Sequence, residues 1–527
     1  LNEEINEEWI SDKTRYSCDG LLKQRLDTPY IRENNVLVKT SWEKAIEKIS
    51  QKLNEINPNN IGGHIGDMVS IENIFAFKNF LNSIGVKNID WREKKFYINP
   101  SEKMNYIFNT SINEIENADL IILVGTNPRL EATMLNARIR KAFLKNNLQI
   151  WSFGNPGDIS YDYKIIGDNT SNFIEFLEGK SDFSKKFKES KKPMFILGES
   201  LLELECANFL FEKLKNFLIK NNLINEDWNS LNILLQNASA VGAIDLITTQ
   251  TNQNDNFDFF SKLENNEIKL LYLLGSDNLN YEKGDKFIIY QGSHGDRGAD
   301  KADVILPSPA FTEQDGLYSN LEGRVQECRK ASYPIGSSKR DWQIFNLILN
   351  SISKKNLFKS FKEIRELSLK EIKNFKSIDS LPQKKTTSQT ENNHKFKSEK
   401  IVIRDLDYYF SNSISRSSKT MSDCRNLRFK KQLNGNYVAF TDNGRNNSGL
   451  DVFEWAKCVE SLGVGELYIN SIDKDGTGQD YDYSAVSGIL ADRIVPVILA
   501  GGAGNYKHLL KGIQLPGIKA VATANLL

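Results

Sequence analysis

At 527 residues the chain is too long for one hydrophobic core, and its length predicts roughly three to four domains. Lys plus Arg and Asp plus Glu both number 68, so no global field draws the protein to nucleic acid or anionic lipid, and any partner must be recognised locally. Cys18, Cys206, Cys328, Cys424 and Cys458 form no C-x-x-C pair, which excludes a disulfide framework and a zinc or iron–sulfur site held by this chain alone; each reads as an ordinary small buried residue in a reducing compartment.

The start, "LNEEINEEWISDKTRY", has no secretory apolar region, and no stretch approaches the roughly 20 apolar residues of a membrane helix. A soluble chain without direct membrane insertion is expected. Because it begins at Leu1 and stops at Leu527 just after the strand-like "IKAVATANLL", both ends are expected to be cut.

Short apolar runs then recur, each ending in Gly or a turn: "DLIILVGTNP", "QIWSFGNPGD", "KPMFILGES", "KLLYLLGSDN" and "KFIIYQGSHGD". Alternating with amphipathic segments, they predict an α/β protein with parallel sheets covered on both faces. After Asn127, Leu130, Met134, Ala137 and Phe143 stand close to helical spacing with Arg138, Arg140, Lys141 and Lys145 between them, which predicts a crossover helix. "LVGTNP" and "LLGSDN" share a strand-Gly-polar ending and hint at two similar nucleotide-type lobes.

Residues 250–266 are rich in Asn and Asp, and residues 376–400 have almost no large apolar side chains, so burial is not expected to offset the entropy of ordering either one. The second reads as a linker; beyond it "IRDLDYYFSNSISRSSKTMSDCRNLRF" regains aromatics and reads as a tail that docks on something. From Asn434 the texture changes to short βα units, "LDVFEWAKCVESLG", "ELYINS", "YSAVSGILAD", "VPVILA", "YKHLLKGIQ" and "IKAVATA", which is barrel texture. The expected domains are 1–175 and 176–352 as α/β lobes, 353–400 as a helical and disordered linker, 401–431 as the docking tail, and 433–527 as half a barrel.

Chemistry-bearing candidates are few. Gly292, Gly295 and Gly298 follow a strand and could turn N–H groups toward a phosphate, although the spacing is not G-x-G-x-x-G and tight turns use glycines too. His64 and His294 have no His or Cys companion at ligand spacing and read as loop residues bonded to backbone. Glu313, Asp315, Glu322 and Arg324 flank Gly316 and Gly323 and are expected to pair or face water. Toward the end, Asp473 and Asp475 with Gly476 sit just past a strand, and Gly501, Gly502 and Gly504 lie between a strand and a helix start. A barrel places a general acid or base and a phosphate at such positions, and a plain turn and helix cap would have the same sequence pattern.

"ADVILPSPAFTEQDGLYSNLEGRVQ" (302–326) resembles the signature of the molybdopterin oxidoreductase superfamily. "LNEEINEEWISDKTRYSCDGLLKQRLDTPYIR", "GTNPRLEATMLNARIRKA" and "DYYFSNSISRSSKTMSDCR" resemble one branch of it, the large peripheral-arm subunit of NADH-quinone oxidoreductase, over residues 1–430. The resemblance implies Rossmann-like lobes, other peripheral-arm subunits as partners, and a cytoplasmic location on the inner face of a bacterial membrane. It also implies that the iron–sulfur clusters belong to an N-terminal portion lying upstream of Leu1, leaving no cofactor in this chain. The molybdenum ligand of the related enzymes aligns near Phe96, where this sequence has no thiol or hydroxyl nucleophile, only the phenol of Tyr97 beside it. On this reading Gly292, Gly295, Gly298, Glu313, Gly316, Asn320 and Arg324 form a vestigial cofactor cradle whose charges satisfy one another, and an active molybdopterin enzyme is the alternative.

"FTDNGRNNSGLDVFEWAKCVESLGVGELYINSIDKDGTGQDYD" and "VPVILAGGAGN" resemble the second half of the cyclase subunit of imidazole glycerol phosphate synthase, a histidine-pathway (βα)8 barrel. The resemblance implies that Asp475 is the general acid, that Gly476, Gly501, Gly502, Ala524 and Asn525 bind phosphate, and that a glutaminase-type subunit is a partner. Asn443 departs from the pattern, standing where a barrel-mouth Ser is usual, and the first half with its partner aspartate is not represented. The expected whole is a chimeric or fragmentary chain: a non-catalytic respiratory scaffold followed by a barrel half that shows lyase activity only when complemented.

Overall fold

The apolar runs that end in glycine are strands, and they build two parallel sheets. The structure is a computed structural model that describes all residues but 1–4, 147, 248–257, 384–388, 390–393, 435–436, 442–445, 476, 491–494 and 524–527. It has two compact units, Leu1–Ile159 with Tyr163–Ser422, and Ser160–Asp162 with Asp423–Leu527.

In the first unit β1 (Tyr30–Glu33) and β2 (Val36–Lys39) form a hairpin closed by Asn34 and Asn35, both at positive φ, the geometry a two-residue turn needs to match strand twist. After β3 (Ile61–Ile65) and β4 (Asn88–Asp90) the chain leaves to build a separate sheet from β5 (Leu120–Val124), β6 (Gln149–Phe153), β7 (Lys164–Gly167), β8 (Pro193–Gly198) and β9 (Leu231–Leu234). It then returns with β10 (Leu270–Leu274), β11 (Phe287–Gly292) and β12 (Val304–Pro307). The orders are β2-β1-β12-β11-β10-β3-β4 and β7-β6-β5-β8-β9. All pairings are parallel except those of β1. Every residue of β3, β5, β8, β9 and β10 is buried, as strands covered on both faces must be.

The five-stranded lobe is thus inserted into the seven-stranded one. The expected boundary at 175/176 falls between β7 and β8, inside one hydrogen-bonded sheet, because strand pairing over long separations leaves no local mark in composition. A hairpin, β13 (Gly316–Ser319) with β14 (Val325–Cys328), follows. Helices Ile71–Ser83 and Asp341–Ser353 cover the first sheet through Phe77, Phe80, Tyr272 and Phe345, with the Phe80 and Phe345 rings stacked 5.3 Å apart and Phe77 edge-on to Tyr272 at 5.2 Å.

Several expectations need correction. Residues 353–372 are not linker: helix Phe361–Glu371 buries Ile364, and Arg365 bonds the fully buried Glu72 at 2.8 Å. Of residues 250–266 the helix Asp258–Glu264 is ordered, because Phe259, Phe260 and Leu263 bury there; 248–257 lie outside the described residues. The crossover helix is Thr133–Asn146, but its buried face is Leu135, Ile139 and Ala142. A break at Ala132 resets the helical phase, and Arg138 is drawn inside by Glu7 at 3.1 Å. Cys18 and Cys458 are exposed, since both sit on surface turns of short helices.

The second unit has a hairpin, β15 (Val438–Thr441) with β16 (Asn446–Asp451), and a parallel sheet in the order β17 (Leu467–Asn470), β18 (Val497–Ala500), β19 (Ile518–Val521). Helices Val452–Ser461, Tyr483–Leu490 and Tyr506–Ile513 alternate with these strands, as barrel-type βα units do. A small core of Tyr481, Val486, Val497, Leu499 and Ile518 holds it.

Candidate functional site

In an open parallel sheet, ligands bind outside the carboxyl ends of the strands where the strand order reverses. Here those points lie between β3 and β10, and between β5 and β8. Both are pinched shut by glycines. Gly66 N–H donates to the Leu274 carbonyl at 2.8 Å, and a Cβ on Gly66 would come within 1.7 Å of the Gly275 oxygen. A Cβ on Gly198 would lie 2.4 Å from the Gly125 oxygen. Gly125 and Gly275, the glycines of the two matching strand endings, both take left-handed backbone, φ +63° and +57°.

Around these points lies a set of buried and half-buried carboxylates that no sequence motif marks. Burial, reinforced by Glu93 and Asp277, pushes Asp67 up to about 7. Burial next to Asp296 does the same to Asp277, against donations from Gly298 N–H at 3.0 Å and the Tyr290 hydroxyl at 3.0 Å. Glu131 and Glu199 are likewise raised to about 7 by burial, partly offset for Glu199 by Arg404. The one signal that could have found them is position: Gly66-Asp67, Gly198-Glu199 and Gly275-Ser276-Asp277 each set an acid just past a strand-ending glycine.

Cations reach them from the tail. Arg404 lies 3.6 Å from Glu199 and also pairs with Glu203, while its own N–H donates to Ser200 Oγ at 2.9 Å. Arg416 places Nε and Nη2 each 2.7 Å from Asp296 Oδ2. Ser413 and Ile414 help line a cavity of about 60 Å³ with Asn73, Asp277, Gln291, Gln314 and Asp341. Asp341 there accepts from Asn73 at 2.6 Å and Gln291 at 2.7 Å.

The predicted cradle residues are bonded within the protein. Gly292 closes β11, where a Cβ would meet the Tyr290 ring at 2.6–2.8 Å; Gly295 N–H donates to Gln24 O at 2.7 Å, and Gly298 N–H is the one held by Asp277. Glu313 takes a two-pronged bond from Arg25 at 2.7 and 2.6 Å and accepts from Ala310 N–H at 2.9 Å. A Cβ on Gly316 would lie 2.7 Å from Ser70 Cβ. Asn320 Oδ1 accepts from the N–H groups of Glu322 and Arg324, both at 3.0 Å, and Arg324 bonds Glu322 at 3.3 Å and the Asp379 carbonyl at 2.8 Å. The Lys330 N–H donates to Asp315 at 2.9 Å. His294 is held between Ser293 Oγ and Gly20 O; His64 lies within β3 rather than in a loop, held between Ser276 Oγ at 2.7 Å and Arg92 O at 2.9 Å. Burial keeps both rings neutral by lowering their pKa values.

Phe96, near which the sequence resemblance implies a metal-ligand position, is buried against Trp91, centroids 5.7 Å apart, and its carbonyl accepts from Arg92, itself paired with Asp90 at 2.6 Å. Among the described residues, no group of three or more His, Cys, Asp or Glu could hold a metal ion.

In the second unit Asp475 is exposed on the turn after β17 and accepts from Asn470 Nδ2 at 3.3 Å. Gly501 and Gly502, at φ +81° and +112°, pack on that turn: a Cβ on Gly501 would sit 2.5 Å from Asn470 Oδ1, and one on Gly502 2.2 Å from Asp480 O. Asn505 caps the following helix by accepting from His508 N–H at 3.1 Å. Gly476, Ala524, Asn525 and Asn443 lie outside the described residues.

Three family models match: molybdopterin oxidoreductase over residues 25–351, histidine biosynthesis protein over 361–527, and the NADH-ubiquinone oxidoreductase NDSU1/NuoG-like 4Fe-4S domain over 1–19. The last corrects the expectation that nothing of the iron–sulfur portion is represented. The second begins upstream of the compact unit that starts at Asp423, whereas residues 361–422 belong to the first unit. The chain is 37% identical over 448 residues to the NADH-ubiquinone oxidoreductase 75 kDa subunit of Reclinomonas americana, covering 81% of this chain and 64% of that protein. It is 37% identical over 426 residues to a NADH-quinone oxidoreductase subunit of Rickettsia bellii, covering 80% and 61%, and 35% identical over 456 residues to the 78 kDa mitochondrial subunit of NADH-ubiquinone oxidoreductase of Neurospora crassa, covering 83% and 60%. It therefore spans a little under two thirds of the length of these relatives. No helix among the described residues is long and apolar enough to cross a membrane.

Proposed function

The chain belongs to the molybdopterin oxidoreductase family, and from that premise we propose that its first unit is a cofactor-free framework of the NADH-quinone oxidoreductase large peripheral-arm subunit. The observation that carries this reading is the crevice at the strand ends. Its room, about 60 Å³, is far below the ~300–1,000 Å³ of ordinary ligand pockets, and carboxylates around it already have partners within the chain: Asp341 in the Asn73 and Gln291 amides, Asp277 in the Gly298 N–H and the Tyr290 hydroxyl, and Asp296 in Arg416. Phe96 offers no ligand atom where the family's metal would be held. The residues present do not fit a molybdopterin, so no catalytic step is assigned here. The unit's contribution is rigidity: interlocked lobes that fix the spacing of electron carriers held elsewhere, beside other peripheral-arm subunits on the cytoplasmic face of the membrane. Expressed in cofactor-replete cells, the full chain should purify with no molybdenum by elemental analysis and no pterin by mass spectrometry. Stoichiometric amounts of either would overturn the reading.

The second unit resembles part of a histidine-pathway cyclase, and we read it as inactive alone. A two-group acid/base mechanism needs a second carboxylate, and the partner of Asp475 here is an amide. Turnover is expected only when a separately made front half of such a barrel, with its glutaminase-type partner, is supplied, and Asp475→Asn should abolish it. We also read the chain as a joining of two unrelated frames. Nucleotide reads across the codons for Phe429 to Gly435 in independent clones should then fail to reproduce the junction.

A further inference from the structure

We propose that residues 401–418 form an internal strap that occupies the ligand crevice of the first unit, with one arginine docked on the acidic strand ends of each sheet. The inference deepens the cofactor-free reading and rests on it. The strap enters beside the five-stranded lobe, where Ile401 N–H donates to Asp168 O at 2.8 Å and Ile401 is buried over Gly154. Arg404 then settles at the start of helix Glu199–Leu202, which follows β8, against Glu199 and Glu203. Twelve residues on, Arg416 reaches Asp296 after β11, close enough to Asp67 and Asp277 to act on both charges. Between them Ser413 and Ile414 form a wall of the cavity at the ends of β10 and β11.

Two features separate this from a loosely lying tail. Both guanidinium groups are sequestered, with side-chain exposures of 14% and 8%, and buried ion pairs of this kind tolerate little displacement. The far end is locked from outside the crevice: Lys419 N–H donates to Asp19 at 2.9 Å, Ser417 bonds Gln24 at 3.1 Å, and a Cβ on Gly20 would lie 2.0 Å from the Ile414 oxygen. The strap therefore stands where a ligand of this fold stands, and its arginines supply the positive charge the crevice carboxylates need.

Hydrogen exchange on the full chain tests it. In the Arg404→Gln, Arg416→Gln double variant, exchange should speed up at least tenfold at 401–418 and also at the strand-end loops 66–69, 198–203 and 275–278, with helix Trp42–Glu55 unchanged. The corresponding double Lys variant should recover most of the protection. Gly20→Ala, which pushes on Ile414 without touching a crevice charge, should loosen 410–418 and loop 275–278 and serves if the first variant fails to fold. Faster exchange in the strap with the three loops unchanged would make it a surface appendage and overturn the proposal. Pterin in the wild-type protein would defeat the cofactor-free reading whatever the exchange shows.

Discussion

As strings of residues, the crevice of the first unit and the loop pair of the second unit are alike; as folded objects they differ. Both set glycines and acids just past parallel strands. In the crevice, Gly66 and Gly275, and Gly125 and Gly198, let two backbones touch, and Glu199 and Asp277 beside them are buried and bonded, Glu199 to Arg404 and the Gln236 N–H and Asp277 to Tyr290 and the Gly298 N–H. In the second unit Gly501 and Gly502 also serve backbone contact, but Asp475 faces solvent with one amide partner. A strand-ending glycine therefore reports a close approach of chains first; it reports a ligand only where a polar group is left aimed at open space.

Charge pairs should split the two regions most sharply. Arg25→Met strands Glu313, whose side chain is 4% exposed, and should destabilise by about 3–5 kcal/mol in urea titration. Lys511→Met, removing an exposed partner of Asp480, should lose under about 1 kcal/mol. Equal losses would erase the distinction. Next come the pinch points. Gly66→Ala drives a methyl into the Gly275 carbonyl and should destabilise by about 3 kcal/mol, the upper end for overpacking. Gly465→Ala, where a Cβ meets nothing, should stay within about 0.5 kcal/mol.

Much of this was legible. The runs ending in Gly125 and Gly275 announced parallel strands, and their shared ending marked equivalent central strands of two lobes, because an apolar run and a left-handed turn are local properties. The insertion of one lobe into the other was not, since the pairing of β3 with β10 joins residues about 200 apart. His64 reads as a loop residue because the glycines around it mimic a turn. The crevice acids carry only the signal of position after a strand-ending glycine, which ordinary turn chemistry shares, and Arg404 and Arg416 carry none because a polar tail shows no periodicity.

A smaller effect appears only against pH. Asp277 holds its proton up to about 7 in the folded chain and up to its ordinary value of 3.8 when unfolded. Between about pH 4 and 7 the folded state therefore binds more protons, and stability from this group falls as pH rises through that window. Asp277→Asn should remove the slope: relative to wild type its urea midpoint should improve steadily from pH 4 to 7 and level off above. A difference constant across that range would mean that Arg416 and the Gly298 N–H neutralise the carboxylate fully.

The smallest effect belongs to Asp475, and its smallness is the point. An exposed carboxylate on a turn, bonded to one amide, gives up little when made neutral, so Asp475→Asn should change stability by no more than about 0.5 kcal/mol. A crevice acid such as Asp341, fully buried and bonded to Asn73 and Gln291, cannot be exchanged so cheaply. If Asp475→Asn instead unfolded the second unit, the side chain would be a structural post of the loop pair. The contrast between a saturated crevice and a carboxylate open to solvent would then collapse from the second unit's side.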